Sequence, residues 1–105
     1  MKIIEKRYRG SVVFRILGYP ITYAIVKLLL NQGPMDLNEI VKSIKISKSG
    51  VSNHLLKLKV ANIIRYEKKW PKTIYRIKYP AEVKRLLDAN EKLVIRMTRR
   101  MKKDY

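Results

Sequence analysis

Between Asp36 and Leu58 the chain carries two apolar stripes of helical period, separated by a turn of three residues. Leu37, Ile40, Val41 and Ile44 follow the i, i+3, i+4, i+7 spacing of one helix face. Asp36 before them suits an N-cap, and Glu39 stands at the capping-box position. After Lys45 and Ile46, Ser47 is a second N-cap, and Val51, Leu55 and Leu58 form the next buried stripe. Asn62 fits a left-handed stop. Two short amphipathic helices joined this tightly predict a helix-turn-helix.

The flanking sequence completes one domain. Pro20 opens a helix that carries Ile21, Ala24, Ile25, Leu28 and Leu29 on one face, and Gly33 closes it. A shorter apolar helix holds Val12, Val13, Phe14, Ile16 and Leu17 before Gly18. Ile63 to Lys68 and Thr73 to Tyr79 read as strands, with Tyr75, Ile77 and Tyr79 on one face and Ile74, Arg76 and Lys78 on the other. Lys-Lys-Trp-Pro-Lys joins them as a basic hairpin tip. Pro80 ends the second strand and one long helix follows. The expected architecture is a single domain over 1–105, mainly α with a two-stranded β-hairpin, in the order ααααββα.

Charge narrows the function. Twenty-five Lys and Arg against eight Asp and Glu leave a formal net charge of +17, which attracts polyanions. Nucleic acid is the first candidate partner, ahead of an anionic membrane surface. There is no cysteine, so disulfides and thiolate metal sites are excluded. No apolar run is long enough to span a bilayer, and the first ten residues are charged and lack an apolar core, so no membrane association and a cytoplasmic location are expected. An enzyme is the weakest reading. The carboxylates are scattered, no glycine loop cradles phosphate, and no nucleophile sits beside a base.

With Val51, Leu55 and Leu58 inward, Ser49, Asn53, Leu56 and Lys57 point outward, and Ser52 and His54 lie on the flanks. Small polar residues at the start of a helix let it sink into the major groove, where Ser and Asn bond base edges and Lys reaches phosphate. The candidate recognition helix therefore spans 47–59, with Ser47, Lys48, Ser49, Ser52, Asn53, His54 and Lys57 as its DNA contacts. His54 is expected to pack or touch DNA; as a lone His it makes neither a metal site nor a catalytic one. In the hairpin, Arg65, Lys68, Lys69, Lys72 and Arg76 are the candidate contacts, with the 68–72 tip on the backbone or in the minor groove. Trp70 is expected to fold back on the sheet.

The stretch from Leu37 to Tyr79 resembles the winged helix-turn-helix of ArsR-type transcriptional repressors. The resemblance rests on S-x-S-x-V-S-x-H-L-x-x-L at Ser47 to Leu58, N-I-I-R at Asn62 to Arg65, I-Y-R-I at Ile74 to Ile77, and LGYPITYAIVKLL upstream. Where the family usually has Ala and Gly, this chain has Val41 and Lys45, which implies a wider or differently built turn. Gly50 inside the recognition helix is explained either by close approach to DNA or by simple tolerance. Metal sensing of the family's cysteine or histidine-carboxylate kinds is not expected, and no cofactor is implied.

The last helix, over 80–103, bears a heptad-like seam of Val83, Leu87, Asn90, Val94, Met97 and Met101. With Val12, Val13 and Ile16 it exceeds what one small domain can cover, so a homodimer through the first and last helices is expected, as the resemblance also implies. Asn90 is a candidate to pair across the two-fold axis. Arg96, Arg99, Arg100, Lys102 and Lys103 either extend the DNA footprint or form a basic tail. The leading reading is a dimeric, sequence-specific double-stranded DNA regulator, a repressor that occludes a promoter at an inverted repeat. The alternatives are a chromatin-like coat without sequence preference and a protein-interaction adaptor.

Overall fold

Local signals set the helix limits. The computed structural model describes the backbone of residues 5–104 and the side chains of residues 8–99. Helix α1 runs over Glu5–Leu17 and α2 over Pro20–Gln32, with Pro20 in the first turn and Tyr19 held extended before it. Gly33 closes α2 at φ 80°, its N–H donating to the Leu29 carbonyl. Helix α3 (Leu37–Ile44) opens on the expected capping box: the Glu39 N–H donates to Asp36 Oδ1 at 2.9 Å, and the Asp36 N–H donates to Glu39 Oε1 at 3.1 Å. Helix α4 (Lys48–Val60) opens on Ser47, whose Oγ accepts from the Gly50 N–H at 3.1 Å.

The turn between α3 and α4 keeps a left-handed residue although no glycine is present. Lys45 takes φ 63° and ψ 38° there, and its N–H still donates to the Val41 carbonyl. Lys45 adopts the left-handed conformation that Gly would take without strain, so the lysine does not by itself change the backbone of the turn. Gly50 also has an internal reason. A Cβ there would lie 3.1 Å from Ser47 Oγ and 3.2 Å from Ile46 Cδ1, so the bare backbone makes room for the cap and the turn.

The sheet has one strand more than expected. Strand β1 (Met35–Asp36) pairs antiparallel with β3 (Lys72–Ile77), which pairs with β2 (Ile64–Lys69), in the order β1-β3-β2. Two residues carry no period, so β1 left no mark in the sequence. The register sets Tyr66 opposite Tyr75 and Lys69 opposite Lys72, which shortens the tip to Trp70-Pro71. The core gathers Ile25, Val26 and Leu29 of α2, Ile40 of α3, Val51, Leu55 and Leu58 of α4, and Ile64 and Ile77 at the base of the hairpin.

Helix α5 (Pro80–Asp104) divides along its length. Leu87 is buried, and Val83 and Leu86 pack against the core. From Lys92 to Arg99 every described side chain is exposed, among them Leu93, Val94, Ile95 and Met97. Among the described residues no single helix is long and apolar enough to cross a membrane.

Candidate nucleic-acid interface

The buried stripe of α4 dictates what its other face presents. With Val51, Leu55 and Leu58 in the core, Lys48, Ser49, Ser52, Asn53, Leu56 and Val60 are exposed together on the outer face. Leu56 was legible as an outward residue, yet its apolar type hid it from a search for polar readers. Its exposed methyls suit contact with a thymine methyl.

Four of the expected recognition contacts, Ser47, Ser49, Lys57 and His54, have partners within the chain. Ser47 Oγ is occupied by the Gly50 N–H and lies 3.3 Å from Ser49 Oγ, so Ser47 acts first as a cap. Lys57 Nζ stands 4.3 Å from the centre of the Tyr19 ring, a cation–π contact that holds the ammonium near the start of α2. His54 is half-buried, and its Nδ1 lies 3.0 Å from Oγ1 of the fully buried Thr22. Burial pushes the His54 pKa below its ordinary value, and the Lys57 charge pushes it the same way. The histidine thus ties α4 to α2, and one ring nitrogen is left for other work.

The wing sorts its charges by strand alternation. Ile64, Tyr66 and Lys68 share a face with Ile77, Tyr75 and Thr73; the Tyr66 and Tyr75 rings meet there at 6.4 Å, with Lys59 Nζ over Tyr66. The opposite face holds Arg65 directly across from Arg76 and Lys69 directly across from Lys72, so Lys68 stands apart from the other four basic residues. Arg65 and Arg76 are both exposed. Like charges set directly opposite repel, and an anion between them relieves the repulsion.

Lys72 is not free for phosphate as expected. Its Nζ lies 3.4 Å from Oδ2 of Asp36, whose side chain is buried. The Glu39 N–H, and after it the Glu39 side chain and Lys72, hold the Asp36 carboxyl below its usual pKa of 3.8. This ion pair fastens the wing to the N-terminus of α3. A cleft of about 150 Å³ joins the elements, lined by Lys48 of α4, Asp36 to Asn38, and Pro71 to Thr73 of the wing with Tyr75. Recognition helix and wing therefore open onto one shared surface.

Trp70 reverses its expected position. It does not fold back on the sheet; it is 94% exposed at the wing tip. The two-residue turn carries it past the last rung of the sheet, Lys69 opposite Lys72.

The expected dimer residues also separate. Leu87 lies in its own domain's core and is not a seam residue, because the first turns of α5 are needed to close that core. Val13, Ile16 and Val83 pack partly against the same core, and Val12 is half-buried. Asn90 donates from Nδ2 to the Tyr23 hydroxyl at 3.1 Å within the chain, which takes the group expected to pair across a two-fold axis. Val94 and Met97 are exposed as a seam requires; the Met101 side chain, with those of Arg100, Lys102 and Lys103, lies outside the described residues. Phe14, 67% exposed on α1, borders an apolar hollow of about 210 Å³ with Leu17, Tyr23 and Leu86.

Comparison with known proteins decides the family. The sequence pattern of the bacterial regulatory protein arsR family matches residues 23–66. An uncharacterized HTH-type transcriptional regulator of Methanocaldococcus jannaschii is 31% identical over 74 residues, covering 70% of this chain and 83% of that protein. The chain belongs to the ArsR family of winged helix-turn-helix regulators. The fold agrees with that of ArsR-type structures. The crystal structure of Rv0081 from M. tuberculosis superposes with a TM-score of 0.79 at 20% identity, covering 95% of this chain and 99% of that one. A homodimeric winged helix-turn-helix DNA-binding domain from Mycobacterium bovis, described as a possible ArsR-family regulator, gives 0.72 at 18% identity, covering 88% and 89%. This ArsR-family chain is a DNA-binding transcriptional regulator and not an enzyme.

Proposed function

We propose that this chain is a homodimeric, sequence-specific repressor that blocks a promoter by seating two recognition helices on an inverted repeat. The observation that carries the reading is the outer face of α4, where Ser49, Ser52, Asn53 and Leu56 are exposed side by side beside a basic wing. Hydroxyls, an amide and an apolar methyl are the groups that discriminate base edges, whereas a coat needs only cations. The exposed apolar residues Leu93, Val94, Ile95 and Met97 of α5 support a second copy as partner, and the M. bovis domain is a homodimer of the same fold. A two-fold axis would then set the two α4 helices about 34 Å apart, one turn of B-DNA.

A coat without sequence preference is the competing reading, favoured by the net charge of +17. Fluorescence anisotropy against the DNA upstream of the chain's own gene and a scrambled duplex, each at two salt concentrations, separates the two. The repressor reading expects tighter binding to the upstream duplex, with only part of the affinity lost to salt. Equal and steeply salt-dependent binding to both duplexes favours the coat.

A further inference from the structure

Trp70 is the most exposed large apolar side chain among the described residues and the only tryptophan in the chain. Its indole carries far more apolar area than a solvated hairpin tip needs. Among the described residues no ring stacks on it and no cation covers it, while Tyr66 and Tyr75 pair with each other further down the wing. Its neighbours are mainly cationic: Lys69 and Lys72 face each other directly across the strands that it joins, Lys68 precedes them, and Lys69 keeps only a loose, exposed pair with Glu67 at 4.0 Å. The wing is also held in place. β1 supports β3 as far as Ile74, and the Lys72–Asp36 ion pair anchors the tip to α3. Pro71, next to the indole, lines the same cleft as Lys48 of the recognition helix, so the tip reaches toward whatever α4 is bound to.

We propose that Trp70 is an apolar wedge that enters the minor groove of double-stranded DNA beside the recognition site and stacks on a base step, with Lys69 and Lys68 on the phosphates at its rims. This rests on the DNA-binding reading above and adds a second contact with its own sequence preference, for the flexible steps that unstack most easily. Charge complementarity selects the polyanion, and the shared surface with α4 selects duplex over single strand.

Because the chain has one tryptophan, selectively excited emission reports on this side chain alone. Titration of the wild-type protein with the upstream duplex is expected to quench that emission strongly at saturation. Trp70→Ala should weaken binding on the order of tenfold, with the salt dependence unchanged, because an indole releases no counterions. Trp70→Phe, which keeps an aromatic face, should recover most of the loss. A melting curve for each variant checks that the fold is intact, as expected for so exposed a position. Unchanged emission at saturating DNA, or a Trp70→Ala variant within twofold of wild type, overturns the wedge while leaving the regulator reading intact. A Phe variant as weak as the Ala variant overturns stacking. Equal affinity and quenching with a single-stranded oligonucleotide overturns the assignment to duplex. A wild-type chain that binds neither duplex overturns the wedge and the regulator reading together.

Discussion

Lys45 takes a backbone conformation that costs an L-residue energy, and nothing about its side chain repays it: the residue is exposed and serves the turn with its N–H alone. Lys45→Gly is therefore expected to stabilise the fold by about 1 kcal/mol, the left-handed penalty less the larger chain entropy of unfolded Gly. Chemical denaturation of the two proteins checks it; a Gly variant no more stable than wild type would sink the claim. His54 makes a pH prediction of known sign. Its pKa in the fold lies below 6.5, so the folded state binds the proton more weakly than the unfolded chain. The stability tied to the neutral ring is fully present above pH 6.5 and is lost as pH falls through the folded pKa. Melting temperature should decline between about pH 7 and pH 5, and His54→Gln should flatten that decline, because this is the only histidine in the chain.

The wing is the element whose composition conflicts with its own stability. Arg65 stands directly opposite Arg76 and repels it in the free protein, and on the DNA-binding reading phosphate would turn that repulsion into attraction, whereas Lys69 and Lys72 are already paired with Glu67 and Asp36. Arg76→Thr is expected to leave the fold as stable or more stable, by up to about 1 kcal/mol. It should lower DNA affinity and reduce the slope of log K against log salt by about one. Anisotropy titrations at several salt concentrations, paired with melts, measure both; a variant that loses stability and keeps its salt slope would assign Arg76 to structure. The strands were legible from their alternation, and Tyr75 and Ile77 share a face as read, but β3 ends at Ile77, so Lys78 and Tyr79 fall outside it. The role of Lys72 was not, because its partner Asp36 is distant in sequence and was legible only as a helix cap.

At the scale of the whole molecule the exposed stretch of α5 from Lys92 to Arg99 is the main unfinished surface among the described residues. Leu93, Val94, Ile95 and Met97 are each at least half exposed, and Phe14 adds to the apolar area on α1. Val94→Glu places a charge within that surface without touching the buried core. It is expected to sediment as a single chain at concentrations where the wild type sediments as two. It should also lose DNA affinity by on the order of a hundredfold, since a lone recognition helix forfeits the effective concentration of the second. A wild-type monomer at micromolar concentration would remove the dimer from the mechanism and leave each half-site to be bound alone.

What the sequence determined by itself is whatever depends on neighbours a few residues away. Capping at Asp36 and Ser47, the proline and glycine limits of α2, the stripes of α3 and α4, the strand period of the wing and the net positive charge follow from spacing and residue type alone. Those signals suffice for the helix-turn-helix and its hairpin; the ArsR family came from the motifs between Leu17 and Ile77 and from the comparison with known proteins. What only the tertiary structure decided is which equivalent-looking residues are already occupied. Along α5, Leu87 and Val94 hold matching heptad positions, yet one is enclosed by α2 and its neighbours while the other stands in solvent. Among the lysines, two that appear equally free in sequence are held by Asp36 and by the Tyr19 ring. Trp70 was expected to fold back on the sheet, and it is exposed because the strand register closes the hairpin at Lys69 and Lys72 and leaves it in the turn beyond them. Occupancy is a competition between elements distant in the chain, and periodicity along a single element carries no record of which competitor wins.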